Sequence, residues 1–521
     1  MQDRPVVAPA KSPHISNALA NAAKLERAGD LAAALAAYQT AIAASPDDPD
    51  LLASVAHLAG RMELHETAAR LWEAVSRLQP ARLEAVDGRA RALRELGRFE
   101  DAISVLRLAI TETPTEPRLW NALGTTLVQD SQTELALTFF DEAIRLDGRS
   151  ATALYNRGGA HFDLGQLDAA QADFARARKL ARRPADVAMI DFAAATLSLA
   201  RGDLAAGWDA YEARFSRDLA TAVVFEAPGR RWLPPMALSG KRLLVVAEQG
   251  LGDELMFANL LPDVLDELGP DGHLSVAVEP RLVELFRRSF PQATVTAHAT
   301  GRQRGKRHRT VPGVAAQFID YWTPLASLNR RYRRSAADFP PSAGYLRPDP
   351  ARVAHWRRWL GEGPPVVGIT WRSGKLLGER RRNYPTLDRW VPLLKTPGVR
   401  FINLQYGDCA DELRALCELS GVEILQAPGL DVREDIDDLA ALCEALDLIV
   451  GVGNATAALA GACGHPVALI SGPSPWTRLG SDSYPWYPRA QVLAAHAFGD
   501  WDPVMAEAAA LVSGRARAGS G

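Results

Sequence analysis

The stretch PRLWNALGTTLVQDSQTELALTFFDEAIRLDGRS (117–150) represents the first third of the chain, because its pattern recurs every 34 residues. Prolines mark one phase of this period, at Pro46, Pro80 and Pro114. Two further columns hold small residues, and a third holds large apolar ones. The columns are Ala34, Ala68, Ala102, Ala136 and Ala170; Ala41, Val75, Ala109, Ala143 and Ala177; and Tyr38, Trp72, Leu106, Phe140 and Phe174. A fixed period of this length predicts a stack of similar supersecondary units.

The period resembles the tetratricopeptide repeat (TPR), in which small residues lie where two helices touch and a proline follows the second helix. We predict five two-helix repeats, at 15–48, 49–82, 83–116, 117–150 and 151–184. A disordered tail is expected at 1–14, and an out-of-phase helical unit at 185–225 is expected to cap the stack. Such repeats form concave platforms, so this region is predicted to bind a protein partner.

Composition is that of an ordinary globular protein. The chain has 521 residues, of which 47 % are hydrophobic, and a net charge of −3. It is long enough for about three domains, and nothing in its charge favours nucleic acid. The four cysteines form no C-x-x-C pair, so neither a disulfide framework nor a zinc site is predicted. The absence of a signal-peptide pattern and of a long apolar run predicts a cytoplasmic protein without membrane insertion.

After a Pro- and Gly-containing linker at 226–242, short apolar strands alternate with helices. The predicted strands are KRLLVVAE (241–248), LSVAVE (274–279), VVGITW (366–371), FINLQ (401–405), LDLIVGV (446–452) and VALIS (467–471). This alternation predicts parallel sheets with right-handed crossovers. We expect two Rossmann-like halves across a cleft, at 243–345 and 350–500, then a final helix and disordered tail at 501–521. The basic segment GRQRGKRHRT (301–310) is expected to be a mobile loop near an anionic substrate.

Five motifs in this region carry a family resemblance. They are AEQGLGDELMFANLLP (247–262), GITWRSG (368–374), FINLQYGD (401–408), LAALCEALDLIVGVGNATAALAGACGHPV (439–467) and WTRLGSDSYPWYP (476–488). In this order they resemble bacterial proteins that join TPR repeats to a GT-B glycosyltransferase domain of the heptosyltransferase-like kind. Within that group the chain is most similar to flagellin glycosyltransferases, which attach a nonulosonic acid of the pseudaminic or legionaminic type to Ser/Thr. The resemblance implies an α-solenoid followed by a GT-B pair of Rossmann-like domains, with flagellin as the protein partner.

The chain departs from the heptosyltransferases at the start of the late helix. Those enzymes carry Asp-Thr-Ala-x-x-His there, whereas Gly453 and Ala458 stand at the acid and histidine positions of this chain. An ADP-heptose donor is therefore not expected. A CMP-activated nonulosonic acid is the first choice and a UDP-hexosamine the second. A non-catalytic adaptor or chaperone with a decayed transferase domain is a further alternative. No cofactor and no metal ion are expected.

Glycosyl transfer to a hydroxyl group needs a base and a group that stabilises the departing phosphate. Asp253 is the predicted base, because it follows the first strand of the first half, where ligands of α/β sheets bind. The resemblance implies the same role, and Glu248 and Glu254 are its rivals. The alternative is that Asp253 only caps the following helix. Gly250 and Gly252 either admit a substrate close to the backbone or simply make a tight turn.

The donor-binding residues are predicted in the second half, where two of its strands end. Arg372, Ser373 and Lys375 offer charges and N–H groups to a phosphate. Asn454, Ala455 and Thr456 begin a helix whose N-terminus attracts anions, although Asn is also an ordinary cap. Gln405 and Tyr406 are expected to contact the base or ribose, and Arg478 to line the cleft. The triplet 380–382 either closes over the donor or is a solvated basic loop.

Overall fold

The computed structural model describes residues 13–303, 306–314, 317–341, 344–374, 382–473 and 475–518. These residues divide into two compact units. One contains residues 13–156 with 302–303, and the other contains 157–301 and 306–518. No helix among the described residues combines the length and the apolar composition needed to span a bilayer.

Each of the five predicted repeats contains a pair of helices, as the 34-residue period predicts. They are α1 (Pro13–Ala28), α2 (Leu31–Ala44), α3 (Pro49–Arg61), α4 (His65–Leu78), α5 (Leu83–Glu95), α6 (Phe99–Glu112), α7 (Pro117–Gln129), α8 (Thr133–Leu146), α9 (Ala151–Asp163) and α10 (Leu167–Leu180). The predicted tail is shorter than expected, because α1 begins at Pro13; residues 1–12 lie outside the described part of the chain.

The large residue of the second helix in a repeat packs against a glycine of a first helix. A Cβ placed on Gly124 would lie 2.7 Å from the ring of Phe140, and one on Gly158 would lie 2.8 Å from the ring of Phe174. Both rings are buried. The two glycines therefore provide the space that lets the paired helices of these repeats approach closely.

The capping unit consists of α11 (Pro184–Ala200), α12 (Leu204–Ala210) and a 3-10 turn at Tyr211–Phe215. Two expectations are corrected in part here. Strand β1 (Val223–Glu226) occupies the end of the predicted capping unit (185–225), and the predicted linker (226–242) contains β2 (Arg230–Arg231); the backbones of both strands pair with later strands of the chain. The indole of Trp232 is buried and donates to the carbonyl of Met236. The segment is thus fixed in sheets at one end and by an aromatic anchor in its middle.

The first α/β half has a five-stranded parallel sheet of order β2-β8-β3-β4-β5. Its other strands are β3 (Arg242–Val246), β4 (His273–Val278), β5 (Thr294–Ala297) and β8 (Tyr321–Pro324). The helices are α13 (Leu251–Phe257), α14 (Leu261–Leu268), α15 (Val283–Ser289) and α16 (Asn329–Tyr332). The central strand β3 is apolar and buried from Leu243 to Val246, as the sequence predicts.

The basic segment 301–310 is not the loop that the sequence suggests. It belongs to β6 (Ala299–Gln303) and β7 (Lys306–Thr310), which form a three-stranded sheet of order β1-β7-β6; residues 304–305 lie outside the described residues. Strand β7 pairs in parallel with β1, from Val223 opposite Arg307 to Glu226 opposite Thr310. The sequence did not indicate this strand, because its residues are mostly basic rather than apolar. The strand is stabilised by pairing with β1, which lies about 80 residues earlier in the chain.

The second α/β half has a six-stranded parallel sheet of order β11-β10-β9-β12-β13-β14. Its strands are β9 (Val366–Thr370), β10 (Arg400–Asn403), β11 (Ile424–Leu425), β12 (Leu448–Val452), β13 (Val467–Ser471) and β14 (Ala490–Ala494). The helices are α17 (Pro350–Leu360), α18 (Val391–Leu394), α19 (Ala410–Ser420), α20 (Ile436–Ala445), α21 (Ala455–Ala462) and α22 (Asp502–Ala518). The predicted C-terminal tail is corrected, because α22 continues to Ala518.

The repeat packing predicts opposite outcomes for two adjacent glycines of α9. Gly158→Ala forces the ring of Phe174 to move and should lower the free energy of unfolding by about 1–3 kcal/mol. No atom lies within 4 Å of a Cβ placed on Gly159, so Gly159→Ala should raise it by about 0.5–1 kcal/mol. Urea unfolding of the two variants measures both effects. Equal effects of the two substitutions would contradict the packing described above.

Candidate functional site

The second sheet has the strand order of a dinucleotide-binding fold. Counted along the chain from β9, its six strands lie in the order 3-2-1-4-5-6. The order therefore reverses between β9 and β12, and the loops after these two strands diverge to opposite sides of the sheet. Ligands of such sheets bind in the crevice at this switch point.

Asn454 links the two loops at the switch point. Its Oδ1 accepts a hydrogen bond of 3.0 Å from the N–H of Ala457 and thereby caps α21. Its Nδ2 donates to Oγ1 of Thr370 (2.6 Å) and to the carbonyl of Arg372 (3.0 Å). Asn454 thus has the capping role weighed from the sequence. Its side chain holds the end of β9 against α21. Because the amide is engaged in these bonds, an anion bound here would contact backbone N–H groups of α21 rather than the Asn454 side chain.

Gln405 fixes the loop after β9 from the other side. Its Oε1 accepts from the backbone N–H groups of Trp371 and Arg372, each at 2.9 Å, and its Nε2 donates to the carbonyl of Tyr406. The side chain is buried. These hydrogen bonds give Gln405 a structural role, and the residue also lines the cavity described below, so its contact with a base or ribose stays a prediction. The half-buried Tyr406 lies nearer the surface, and its hydroxyl accepts from the N–H of Gly374 at 3.1 Å.

Arg372 lies at the predicted place, but its charge is already paired. Its Nε donates to both carboxylate oxygens of Glu412 on α19 (2.8 and 2.7 Å), and its Nη2 donates to the carbonyl of Asp408 (2.7 Å). The sequence offered no sign of Glu412, which lies 40 residues later. Through these hydrogen bonds, the guanidinium connects the loop after β9 to α19. A bound phosphate would have to compete with Glu412 for it.

The remaining predicted donor residues differ in their placement. Ser373 is half-buried beside Arg372, Ala455 starts α21, and the buried hydroxyl of Thr456 lies 3.4 Å from the carbonyl of Leu404. Nε of Arg478 donates to the carbonyl of Ser481 and is thereby held within its own turn. Lys375 and residues 380–381 lie outside the described residues. Arg382 pairs with Asp163 of the fifth repeat at 2.7 Å.

A cavity of about 590 Å³ lies at the carboxyl ends of β10 and β11. This volume is within the range of about 300–1,000 Å³ typical of small-molecule sites. Its lining is mostly polar and includes Asn403, Asp408, Gln426, Asp431 and Arg433. The residues from 426 onward were missed from the sequence. The signal that could have located them is the glycine-containing turn directly after a short apolar strand, which in this fold faces the ligand.

Asp253 occupies the third position of α13 in the first half. Its Oδ2 accepts from the N–H of Gly250 at 3.0 Å, so it does cap this helix. Burial raises the pKa of Tyr484 to about 12, and the negative charge of Asp253 adds to this rise. The carboxylate is therefore near enough to the aromatic segment 484–487 of the second half to act on it electrostatically.

The starts of α13 and α21 lie against each other. A Cβ placed on Gly252 would lie 3.9 Å from Cα of Ala455 and 3.9 Å from Cβ of Ala458. A Cβ at these distances would make ordinary van der Waals contact with α21, so the two helix starts are close neighbours. The loop that carries Asp253 is thereby brought to the switch point of the second sheet.

The two rival carboxylates are both buried and paired. Glu248 accepts from Nε and Nη2 of Arg214, each at 2.9 Å, and from the N–H of Ala326. Glu254 accepts from the N–H of Glu279 at 2.8 Å, and its Oε1 lies 2.9 Å from Nε2 of His298. These partners give Glu248 and Glu254 structural roles, which separates them from the half-buried Asp253.

Asn454→Ala removes the cap of α21, the bond to the last residue of β9 and the bond to the loop after it. We expect the free energy of unfolding to fall by about 1–3 kcal/mol, since a cap and a buried hydrogen bond each contribute about 1 kcal/mol. Asn454→Asp keeps the acceptor for the N–H of Ala457 and should lose less. Urea unfolding compares the two variants. If both match the parent, the link between the two loops contributes nothing to stability.

Comparison with known proteins gives one extensive relative. The sequence profile of the tetratricopeptide repeat matches residues 83–126 and 121–187. Protein FlbA of Caulobacter vibrioides is 45 % identical over 487 residues, which cover 93 % of this chain and 82 % of that protein.

Solved structures resemble parts of the chain only distantly. A glycosyl transferase family 9 protein of Veillonella parvula matches 50 % of this chain and 87 % of its own, with 12 % identity and a TM-score of 0.38. A TPR protein of Thermus thermophilus matches 36 % of this chain and 99 % of its own, with 22 % identity and a TM-score of 0.31. From the extent and identity of the sequence match, the chain belongs to the same family as Protein FlbA of Caulobacter vibrioides.

Proposed function

We propose that this protein is an O-glycosyltransferase that modifies Ser/Thr of a protein held by its repeats. The second α/β half binds a nucleotide-activated sugar, and Asp253 of the first half removes the proton from the acceptor hydroxyl. The first-choice acceptor is flagellin and the first-choice donor a CMP-activated nonulosonic acid, both on the resemblance of the sequence motifs. The reaction needs no metal ion in this scheme.

The observation that carries the proposal is the close approach of the starts of α13 and α21. Transfer of a sugar requires a base on the acceptor side and stabilisation of the phosphate on the donor side, a few ångströms apart. Asp253 lies one residue after Gly252, where a Cβ would lie 3.9 Å from Cα of Ala455 at the start of α21. The first N–H groups of a helix are unpaired within it and favour an anion. A sugar phosphate at α21 would thus lie close to the Asp253 carboxylate.

The cavity beyond β10 and β11 supports the nucleotide part of the proposal. It begins at Gln405 and Asp408, which are also neighbours of the Arg372 loop through the hydrogen bonds described above. A nucleoside placed in this cavity would extend its phosphate toward the switch point. Asp431, Gln426 and Arg433 supply the acceptor and donor groups that a base and a ribose require.

Asp253→Asn keeps the size of the side chain and an oxygen for the N–H of Gly250, but it removes the base. We expect sugar transfer to fall at least about a hundredfold, the usual scale for a general base, with little change in melting temperature. Intact mass of flagellin over time, after mixing with the full chain and CMP-nonulosonic acid, measures the rate. Asp271→Asn, at an exposed position in the same half, is the matched control. Near-normal transfer by Asp253→Asn would remove Asp253 from the reaction.

The donor preference follows from the residues that replace the heptosyltransferase motif. Heptosyltransferases have an Asp at the position of Gly453. A donor that carries a carboxylate beside its phosphate suits a site without that Asp, because the two carboxylates would repel each other. We expect calorimetry to show tighter binding of CMP than of UDP or ADP. A preference for UDP would favour the hexosamine alternative, and no binding of any of the three would favour the non-catalytic adaptor.

Gly453 allows a direct test of this electrostatic reasoning. A Cβ placed on Gly453 would have no atom within 4 Å, so a larger side chain is sterically accepted. Gly453→Asp should weaken CMP binding about tenfold by repulsion at the start of α21, whereas the isosteric, neutral Gly453→Asn should have little effect. Equal losses in both variants would point to a steric cause instead.

A further inference from the structure

The loop between β3 and α13 contains a conformation that its sequence does not favour. Gln249 has φ 63°, in the left-handed region that residues other than glycine rarely adopt. Such conformations persist only where surrounding contacts enforce them, and they occur often at functional sites. The residue lies one position before Gly250 and four before Asp253.

Contacts from the capping unit hold this loop on one side. Nε2 of Gln249 donates to the hydroxyl of Tyr211 at 3.0 Å, and the preceding Glu248 is paired with Arg214. Tyr211 and Arg214 belong to the same 3-10 turn. Two consecutive loop residues are thus attached to one turn of the unit that ends the repeats.

Strand β7 holds the loop on the other side. Nη1 of Arg309 donates to the carbonyl of Ala247, and its Nη2 lies 3.5 Å from the carbonyl of Gln249. Nη1 of Arg307 donates to the same Gln249 carbonyl at 3.4 Å. The side chain and the carbonyl of Gln249 are therefore held by different elements, and together they define the orientation of the following peptide group.

That peptide group reaches the carboxylate of Asp253. Its N–H is the N–H of Gly250, which donates to Oδ2 of Asp253 at 3.0 Å. If Gln249 relaxed to a negative φ, the peptide would rotate, and this N–H would turn away from Asp253. The orientation of the carboxylate thus depends on a side chain 42 residues earlier in the chain.

From this chain of contacts we infer that Tyr211 is a positioning residue, which holds Gln249 in its left-handed conformation and so orients the Asp253 carboxylate. The inference rests on the proposed function for its catalytic consequence, although the loop geometry itself does not. It assigns the capping unit a part in the reaction, in addition to ending the repeats.

Tyr211→Phe is the direct test, because it removes only the hydroxyl. The ring keeps its neighbours Phe192, Trp208 and Trp476, with centroids 5.4–5.5 Å away. With the full chain, CMP-nonulosonic acid and flagellin, we expect kcat to fall at least tenfold while KM for the donor stays unchanged. Gln249→Ala should give the same loss, and the double variant should lose no more, because both break one contact.

Tyr332→Phe is the matched control, since it also removes a partly buried hydrogen bond of a tyrosine hydroxyl, from Tyr332 to Oε2 of Glu267 at 2.6 Å. It should lower the melting temperature by a similar amount but leave kcat unchanged. A fall in kcat in both tyrosine variants, or in neither, would overturn the inference, because Tyr211 would then act on stability alone.

Hydrogen exchange of the backbone at 247–257 gives a readout that needs no turnover. Tyr211→Phe should exchange faster there than the parent, whereas Tyr332→Phe should not. If the parent transfers no sugar, the proposed function fails, and the exchange data still decide whether Tyr211 holds the loop. Unchanged exchange at 247–257 in Tyr211→Phe would overturn the inference whatever the activity.

Discussion

The ion pair between Arg214 and Glu248 is the contact on which the arrangement of the first α/β half depends. Both side chains are buried, and the pair joins the capping unit to the end of β3. Burial alone would lower the pKa of Arg214, but the attraction of Glu248 outweighs it, and the pKa is raised. Removing one partner of such a pair leaves an uncompensated buried charge and typically costs about 3–5 kcal/mol.

Aromatic packing extends this connection across the second unit. Trp208 of α12 lies 6.2 Å from Phe257 of α13 and 6.0 Å from Trp486, measured between ring centroids. All three rings are buried. One side chain of the capping unit thus contacts both α/β halves, and the three parts share one apolar core. Residues 185–225 therefore belong physically with the sheets, although their sequence resembles a repeat. A fragment that ends at 225 would expose this core surface.

Buried polar side chains play the corresponding role in the second half. Gln405, Asn454 and Glu412 each bind the loop 370–374 from a different element, and each is satisfied by more than one hydrogen bond. Fully satisfied networks of this kind favour a single backbone arrangement. They fix the shape of the switch point beside the cavity at β10 and β11, and these side chains are themselves engaged in structural hydrogen bonds.

The sequence by itself determined the parts of the fold that depend on local periodicity. The 34-residue period located all ten repeat helices, and short apolar runs located the central strands of both sheets, because the side-chain pattern of a helix or strand is written in consecutive residues. It also placed Asp253, Arg372 and Asn454 in the segments that follow strands. Only the tertiary structure decided what these residues contact. Arg372 meets Glu412, Glu248 meets Arg214, and the basic segment pairs with β1, since partners separated by 34 to 84 residues leave no signal in one sequence. The left-handed conformation of Gln249 belongs to this second class, because it is enforced by Tyr211 and Arg309 rather than favoured by the residue itself.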